Sequence, residues 1–453
     1  MTNKSAKTSS ANDTTTRRSF VKKSAATSAA VFSAASLLPT QAVHSAQNAD
    51  DSIKVGLVGT GGRGSGAVGD SVNSSEGVKL VAMADLAKDR VDGAAAGIQT
   101  SIGAAFAVEE GAKFHGVEAY KEVCAHPDVD YVIHTTPPGL RHITLREAVE
   151  QGKHSFVEKP VCVDAYTYQH VLESGRIAKE KGLAIVSGTQ YRRENSYKAA
   201  IEQIHDGLIG ELVGAHAYYC TGSLWLRGQE ADWEKWGGLN GMEYQMRNWL
   251  YFAWLSGDHI AEQAIHNLDA INWGFNANPE SAYASGGRIS RNQPQYGDIY
   301  DHFSVDYDYP GGARVNFKCR QIAGAKARVT NRFIGTKGTM DIRPNPGRSA
   351  SVAKNHKGER IWNNNGRTGN NQPYVEEHRA LIESIRNGTP IMEIQGVADS
   401  SLTCVLGREA AYSGQEITFE QAQNSALKLR PDDITAKSFE VRPVPVPGKY
   451  KFS

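Results

Sequence analysis

Four side chains able to move protons recur at helical spacing in the second half of the sequence: His259, Glu262, His266 and Asp269. At about 100° per residue they share an arc of roughly 80°, while Ile260, Ala261, Ile265, Leu268 and Ile271 take the other side. Such a face suits proton transfer at a hydroxyl, with His266 as acid and base and Glu262 as the group that orients it. The spacing also admits a divalent metal on His259, Glu262 and His266, but no further ligand stands at a characteristic distance, so no metal is expected. A solvated face beside an ordinary core face is the plain structural alternative.

A second constellation precedes it. The apolar run Ile53–Val58 leads into Gly59, Thr60, Gly61, Gly62, Arg63 and Gly64, the G-x-G-x-x-G spacing between a strand and a helix. Glycines there allow a tight turn and let a pyrophosphate approach the free N–H groups of the helix N-terminus. Asp85 closes the next apolar run, where a carboxylate accepts from the adenosine ribose and repels a 2′-phosphate, favouring NAD over NADP. Its structural alternative is a cap on the following helix. Arg63 offers a guanidinium to adenine or phosphate and keeps NADP open.

With these stand Thr135-Thr136-Pro137-Pro138 and His142, Glu158-Lys159-Pro160 after Gly152-Lys153-His154, and His266-Asn267-Leu268-Asp269. Together they resemble the glucose-fructose oxidoreductase and inositol dehydrogenase (Gfo/Idh/MocA) family. The resemblance covers nearly all of the chain after residue 46, including Gly335-Thr336-Lys337-Gly338-Thr339 and the stretch His378–Pro390. It implies that Lys159 lies beside the nicotinamide ribose and the reacting sugar hydroxyl. It also implies a pocket histidine at His266, with Glu262 where family members carry an aspartate. Where the family has Thr-Pro-Asn this chain has Thr136-Pro137-Pro138, so no polar contact is transferred to position 138. The expected cofactor contacts are thus the loop from Gly59 to Gly64 with Asp85, Thr136, Pro137, His142, Glu158, Lys159 and Gln190. Lys159 and His266 form the expected catalytic pair, since a cation beside the base lowers its proton affinity and stabilises a developing alkoxide. Arg192, Arg247, Trp249, Asp301 and His302 are the expected substrate contacts, with surface salt bridges or core packing as their alternatives.

Upstream, Thr16-Arg17-Arg18-Ser19-Phe20-Val21-Lys22, an apolar stretch from Ser24 to Leu38 and small residues from Ala42 to Ala46 read as a twin-arginine export signal spanning 1–46. That route carries folded proteins, so a periplasmic or otherwise exported enzyme with tightly bound NAD, or NADP, is expected. Export leaves 44 basic residues against 48 acidic ones, a net charge of −4 with no basic cluster. This argues against nucleic acid or anionic membrane and for a small neutral carbohydrate or polyol. No later stretch approaches the roughly 20 apolar residues of a membrane span. The expected partners are the export machinery and further copies of the chain, as a dimer or tetramer. Five cysteines without C-x-x-C spacing are expected to be buried free thiols.

These residues need elements to hold them. About 400 residues after the signal exceed a single core, so two domains are expected, 52–188 and 189–453. The fold class is α/β. Apolar runs at Ile53–Val58, Leu80–Ala84, Tyr131–Thr135, Ser155–Val157 and Ala184–Val186, interleaved with helical stretches, predict an N-terminal Rossmann doubly wound parallel sheet. Period-two alternation at His216–Tyr219, His302–Tyr307, Ala313–Lys318 and Arg328–Ile334 predicts a C-terminal α+β domain with a large, mostly antiparallel open sheet. Helices are predicted at Asn195–Asp206, His259–Trp273 and Glu376–Asn387, and a long loop, a lid or arm, from Arg343 to Pro373. The function expected is an NAD(P)-dependent oxidoreductase on a secondary hydroxyl of a sugar, polyol or glycoside, running a closed redox cycle. The alternatives are a hydrolase, lyase or epimerase working through a transient keto-sugar, and a noncatalytic sugar-binding protein.

Overall fold

The computed structural model describes residues 52–344, 350–364 and 372–453. The export signal expected at 1–46 lies outside them. Six parallel strands form the first sheet in the order β3-β2-β1-β4-β5-β6. They are β1 (Ile53–Val58), β2 (Val78–Asp85), β3 (Lys113–His115), β4 (Tyr131–His134), β5 (His154–Val157) and β6 (Ile185–Ser187). Continuous burial along β1, β2 and β4 follows from helices covering both faces, which is why these strands read as unbroken apolar runs. β3 has no such run and was not expected. The strand order reverses between β1 and β4, so the Gly59–Gly64 loop and the Thr135–Pro138 turn both open at the carboxyl edge where such sheets bind ligands.

The second sheet has nine strands in the order β14-β13-β12-β11-β7-β10-β9-β8-β15. They are β7 (Leu212–Thr221), β8 (Ser281–Gly287), β9 (His302–Tyr309), β10 (Ala313–Gln321), β11 (Arg328–Gly335), β12 (Gly338–Arg343), β13 (Ala350–Asn355), β14 (Arg360–Asn364) and β15 (Ile417–Thr418). Among the described strands of this sheet only β7 and β10 pair in parallel. The alternation in β10, buried at Ala313, Val315, Phe317, Cys319 and Gln321, turns one face to the helices. The loop expected over Arg343–Pro373 is corrected: β13 and β14 fall within it and extend the sheet edge by antiparallel pairing. Backbone pairing supplies what the Asn-rich sequence does not advertise.

The helix predicted over His259–Trp273 is corrected too. It is two helices, His259–Glu262 and Ile265–Phe275, offset at Gln263 and Ala264. Asn267 fixes the second one by donating to the Tyr218 and Thr330 carbonyls at 3.0 and 3.1 Å, on neighbouring strands β7 and β11. Behind it runs the helix Ile394–Ser413, buried on nearly every side and therefore without the stripe that marks a surface helix. The helix Pro373–Arg386 returns to the first sheet, where Leu381 and Ile382 join its core. All five cysteines are buried and free. No helix among the described residues is long and apolar enough to cross a membrane.

Candidate active site

The glycine loop is shaped by close approach. Gly59 has φ of 97°, and a Cβ on Gly64 would lie 2.0 Å from the Gly59 carbonyl oxygen, so helix and loop fit only without a side chain there. A Cβ on Gly61 or Gly62 would meet nothing within 4 Å. The helix Gly62–Ser74 starts at Gly61 with no side-chain cap, which leaves its first N–H groups directed at that open space. This cradle fits a pyrophosphate. Gly61→Val should therefore keep the melting temperature within about 2 °C while dinucleotide affinity, read by calorimetry, falls at least about tenfold; unchanged affinity would place the phosphates elsewhere.

Asp85 steadies the loop. Its Oδ2 accepts from the Thr60 N–H at 2.7 Å and from Thr60 Oγ1 at 3.0 Å, and its Oδ1 accepts from the Leu86 N–H at 2.8 Å. The helix after it begins at Ala87 with no side-chain cap, so the capping alternative does not hold. Asp85, Gly59, Gly61, Thr136 and Pro137 line a cleft of about 910 Å³, part of it open to solvent. Arg63 donates from Nε to Glu158 at 2.5 Å, pairs with Asp70 at 3.0 Å and lies 4.5 Å from the Tyr374 ring centroid.

The proton-handling groups gather beside that cleft. Lys159 Nζ donates to the Glu262 backbone carbonyl at 2.6 Å and stands 4.0 Å from Glu262 Oε1. Burial, then the positive charges of Lys159 and Arg63, hold the His266 imidazole well below its usual range, so it is neutral at pH 7. Its ring faces Tyr191 at 5.0 Å, and Tyr191 stacks on Tyr197 at 4.5 Å. Burial pushes the Glu158 carboxyl up, but Arg63, Lys159 and Arg141 overcome it and keep the group ionised. Close by, burial and the charge of Glu158 push the Glu377 carboxyl well above the usual carboxylate range. Among the buried polar atoms without a partner in the described residues are Thr136 Oγ1, Gln190 Oε1 and Glu262 Oε2. A bound cofactor and substrate would supply them.

Several expected contacts take other places. Glu262 turns to Lys159, and no hydrogen bond between Glu262 and His266 is found among the described residues. His259 leaves the shared arc: buried, it engages Asp258 Oδ1 through Nδ1 at 2.9 Å and Cys319 Sγ through Nε2 at 3.5 Å. No cluster of three or more His, Cys, Asp or Glu able to hold a metal occurs among the described residues. His142 points away from the cleft, accepting from Arg430 at 3.2 Å, while its neighbours Ile143 and Thr144 line it. Arg192 is gripped by Asp269, with Nε at 2.9 and 3.1 Å and a second nitrogen at 2.8 Å, and so sits one turn beyond His266. Arg247 and Trp249 line the cleft together with Asp85, whereas Lys159 is not among its lining residues. Asp301 is fully buried and ties the turn after β8, accepting from the N–H groups of Ile289, Ser290 and Arg291, and it pairs with His302 at 2.8 Å. Its carboxylate is structural. Sequence reasoning missed Tyr191, Tyr219 and Tyr374; burial and then the Glu262 charge push the Tyr219 phenol up to about 12.

Comparison with known proteins decides the lineage. Residues 53–189 match the oxidoreductase family with an NAD-binding Rossmann fold, and residues 197–341 match the GFO/IDH/MocA C-terminal domain. The chain belongs to the GFO/IDH/MocA family. Among GFO/IDH/MocA relatives, a 2,7-anhydro-N-acetylneuraminate hydratase from Escherichia coli is 26% identical over 217 residues, 47% of this chain and 51% of that protein. A glycosyl hydrolase family 109 protein from Shewanella amazonensis is 27% identical over 200 residues, 44% of this chain and 42% of that one. The chain thus spans about half the length of the curated relatives it matches. The aldose-aldose oxidoreductase of Caulobacter crescentus shares the fold with a TM-score of 0.64 at 17% identity, over 81% of this chain and 99% of that one. The scyllo-inositol dehydrogenase of Lactobacillus casei, solved with NAD(H) and scyllo-inositol, gives 0.59 at 20% identity over 82% and 99%.

Proposed function

We propose that this GFO/IDH/MocA member is an NAD(P)-dependent oxidoreductase, with NAD favoured, that acts on a secondary hydroxyl of a sugar, polyol or glycoside. It is exported with its cofactor tightly bound and runs a closed redox cycle in which a second substrate reoxidises that cofactor. The observation that carries this reading is the Lys159 ammonium held by Glu262 next to a buried imidazole that stays neutral. When bound, the nicotinamide supplies a hydride acceptor at the carbinol carbon. Neutral His266 accepts the hydroxyl proton as the hydride leaves, and Lys159 Nζ stabilises the developing alkoxide. The unpartnered Glu262 Oε2 accepts from a neighbouring hydroxyl and so orients the ring of the substrate. A noncatalytic sugar-binding role gives no reason to bring these groups together.

The names of the curated relatives, a hydratase and a glycosyl hydrolase, favour a second reading: transient oxidation that acidifies the adjacent C–H, then elimination, hydrolysis or epimerisation, with the hydroxyl finally restored. Purified protein is denatured and its supernatant assayed for NAD(H) and NADP(H). Fresh protein is then incubated with glycosides and polyols without added cofactor. A ketone with a reduced partner supports the first reading; bond cleavage without net oxidation supports the second; protein that carries no nucleotide and takes none up ends both.

The pH profile is a separate check. A depressed His266 stays unprotonated until the solution is more acidic than its usual value. kcat/KM should then be level from about pH 8 to about pH 6.5 and fall only on the acid side. An acid limb centred within or above that window would remove His266 as the acceptor.

A further inference from the structure

The adenosine end of the cleft has a roof that does not come from the first sheet. Met246, Arg247 and Trp249 on one segment, and Ile434 on the C-terminal tail, line it opposite Asp85 and Arg90. Arg247 reaches across the opening. Its two terminal nitrogens donate to Asp89 at 2.9 and 3.2 Å, in the first turn of the helix Lys88–Ile102, while Nε donates to Glu243 at 2.8 Å. The Arg247 side chain is 14% exposed and that of Asp89 is 66% exposed.

Behind the roof, segment and tail brace each other. The Met242 N–H donates to the Lys437 carbonyl at 2.9 Å, the Phe439 N–H donates to Asn240 O at 2.8 Å, and Gln245 donates to Phe439 O at 2.5 Å. Leu427 and Leu429 enter the same apolar cluster as Met242, Leu250 and Trp254. Leu429 N–H is in turn anchored to Asp164 at 2.7 Å.

We propose that residues 242–252 and the tail around Ile434 form a retaining roof over the adenosine half of a bound dinucleotide, latched to the Rossmann domain by Arg247–Asp89 and Trp249. Release then requires the latch to open. The inference rests on the reading that this cleft holds a nicotinamide dinucleotide. An ion pair with one exposed partner contributes modestly, so apolar burial by Trp249, which lines the cleft, should carry the larger share.

The measurement is the rate at which NADH leaves the loaded protein, followed by loss of its fluorescence after mixing with excess of a second, NADH-consuming dehydrogenase and its substrate. Asp89→Asn and Arg247→Met should each speed release about three- to fivefold, and Arg247→Met with Trp249→Ala at least about 30-fold. Added salt should speed release from the wild type and leave Asp89→Asn unaltered. Should the double variant not fold, Asp89→Asn, altered at an exposed position, still decides. Wild-type release rates in both single variants, with no salt effect, overturn the latch and leave the cofactor reading intact. Wild-type protein that neither holds nor takes up NADH overturns both.

Discussion

Lys159→Met should lower kcat by about three orders of magnitude while leaving bound dinucleotide and melting temperature near the wild type. Methionine keeps the length and most of the volume of the side chain, so the packing around a group only 14% exposed changes little. What disappears is the one cation held by the Glu262 carbonyl beside the imidazole. The alkoxide that would form as hydride departs then loses its stabilising charge beside a largely buried imidazole. A second sign follows from linkage. Lys159 is one of the causes that depress His266, after burial itself, so its removal raises the proton affinity of the imidazole. The acid limb of any residual activity should therefore move to higher pH. Activity within tenfold of the wild type, or an acid limb that does not move, would take the chemistry away from Lys159. Lys159→Arg is not expected to rescue, because a planar fork cannot place a single donor where Nζ sits.

The glycine loop and the first sheet were legible because their signal is local: an apolar strand, three spaced glycines and an acid at the tip of the next strand all lie within residues 53–85. The pairing of Lys159 with His266 is not local. It depends on the helix Ile265–Phe275 being pinned across β7 and β11 by Asn267, and only the family resemblance brought those distant positions together in the sequence. Helical spacing misled at His259, since Gly257 and Asp258, both at positive φ, start a short separate helix that turns this imidazole into the core. Arg247 and Trp249, expected as substrate contacts, line the cleft together with Asp85. Residue type reports that an arginine or tryptophan suits a ligand; which half of a dinucleotide cleft it faces depends on the path of a segment through space. The helix Ile394–Ser413 was invisible for the opposite reason: burial on all sides removes the periodicity that reveals a helix.

That hidden helix carries the residue whose loss should harm stability most. Arg408 and Glu409 are both fully buried, with an ion-pair separation of 2.7 Å. Arg408 also donates to the Val163 carbonyl at 2.8 Å and the Gly257 carbonyl at 3.1 Å. Val163 follows the Glu158-Lys159-Pro160 segment and Gly257 precedes the helix of His259 and Glu262, so one guanidinium ties together the two stretches that bear the site. Arg408→Leu leaves both carbonyls without that donor and strands a buried carboxylate whose remaining side-chain partner is the Tyr450 hydroxyl at 2.7 Å. Breaking one side of such a pair costs about 3–5 kcal/mol, which denaturant titration would read as a lower midpoint at constant slope. Arg408→Leu combined with Glu409→Gln should recover part of that loss, because the stranded charge is gone. A single variant within about 1 kcal/mol of the wild type would mean that the two stretches hold each other without Arg408.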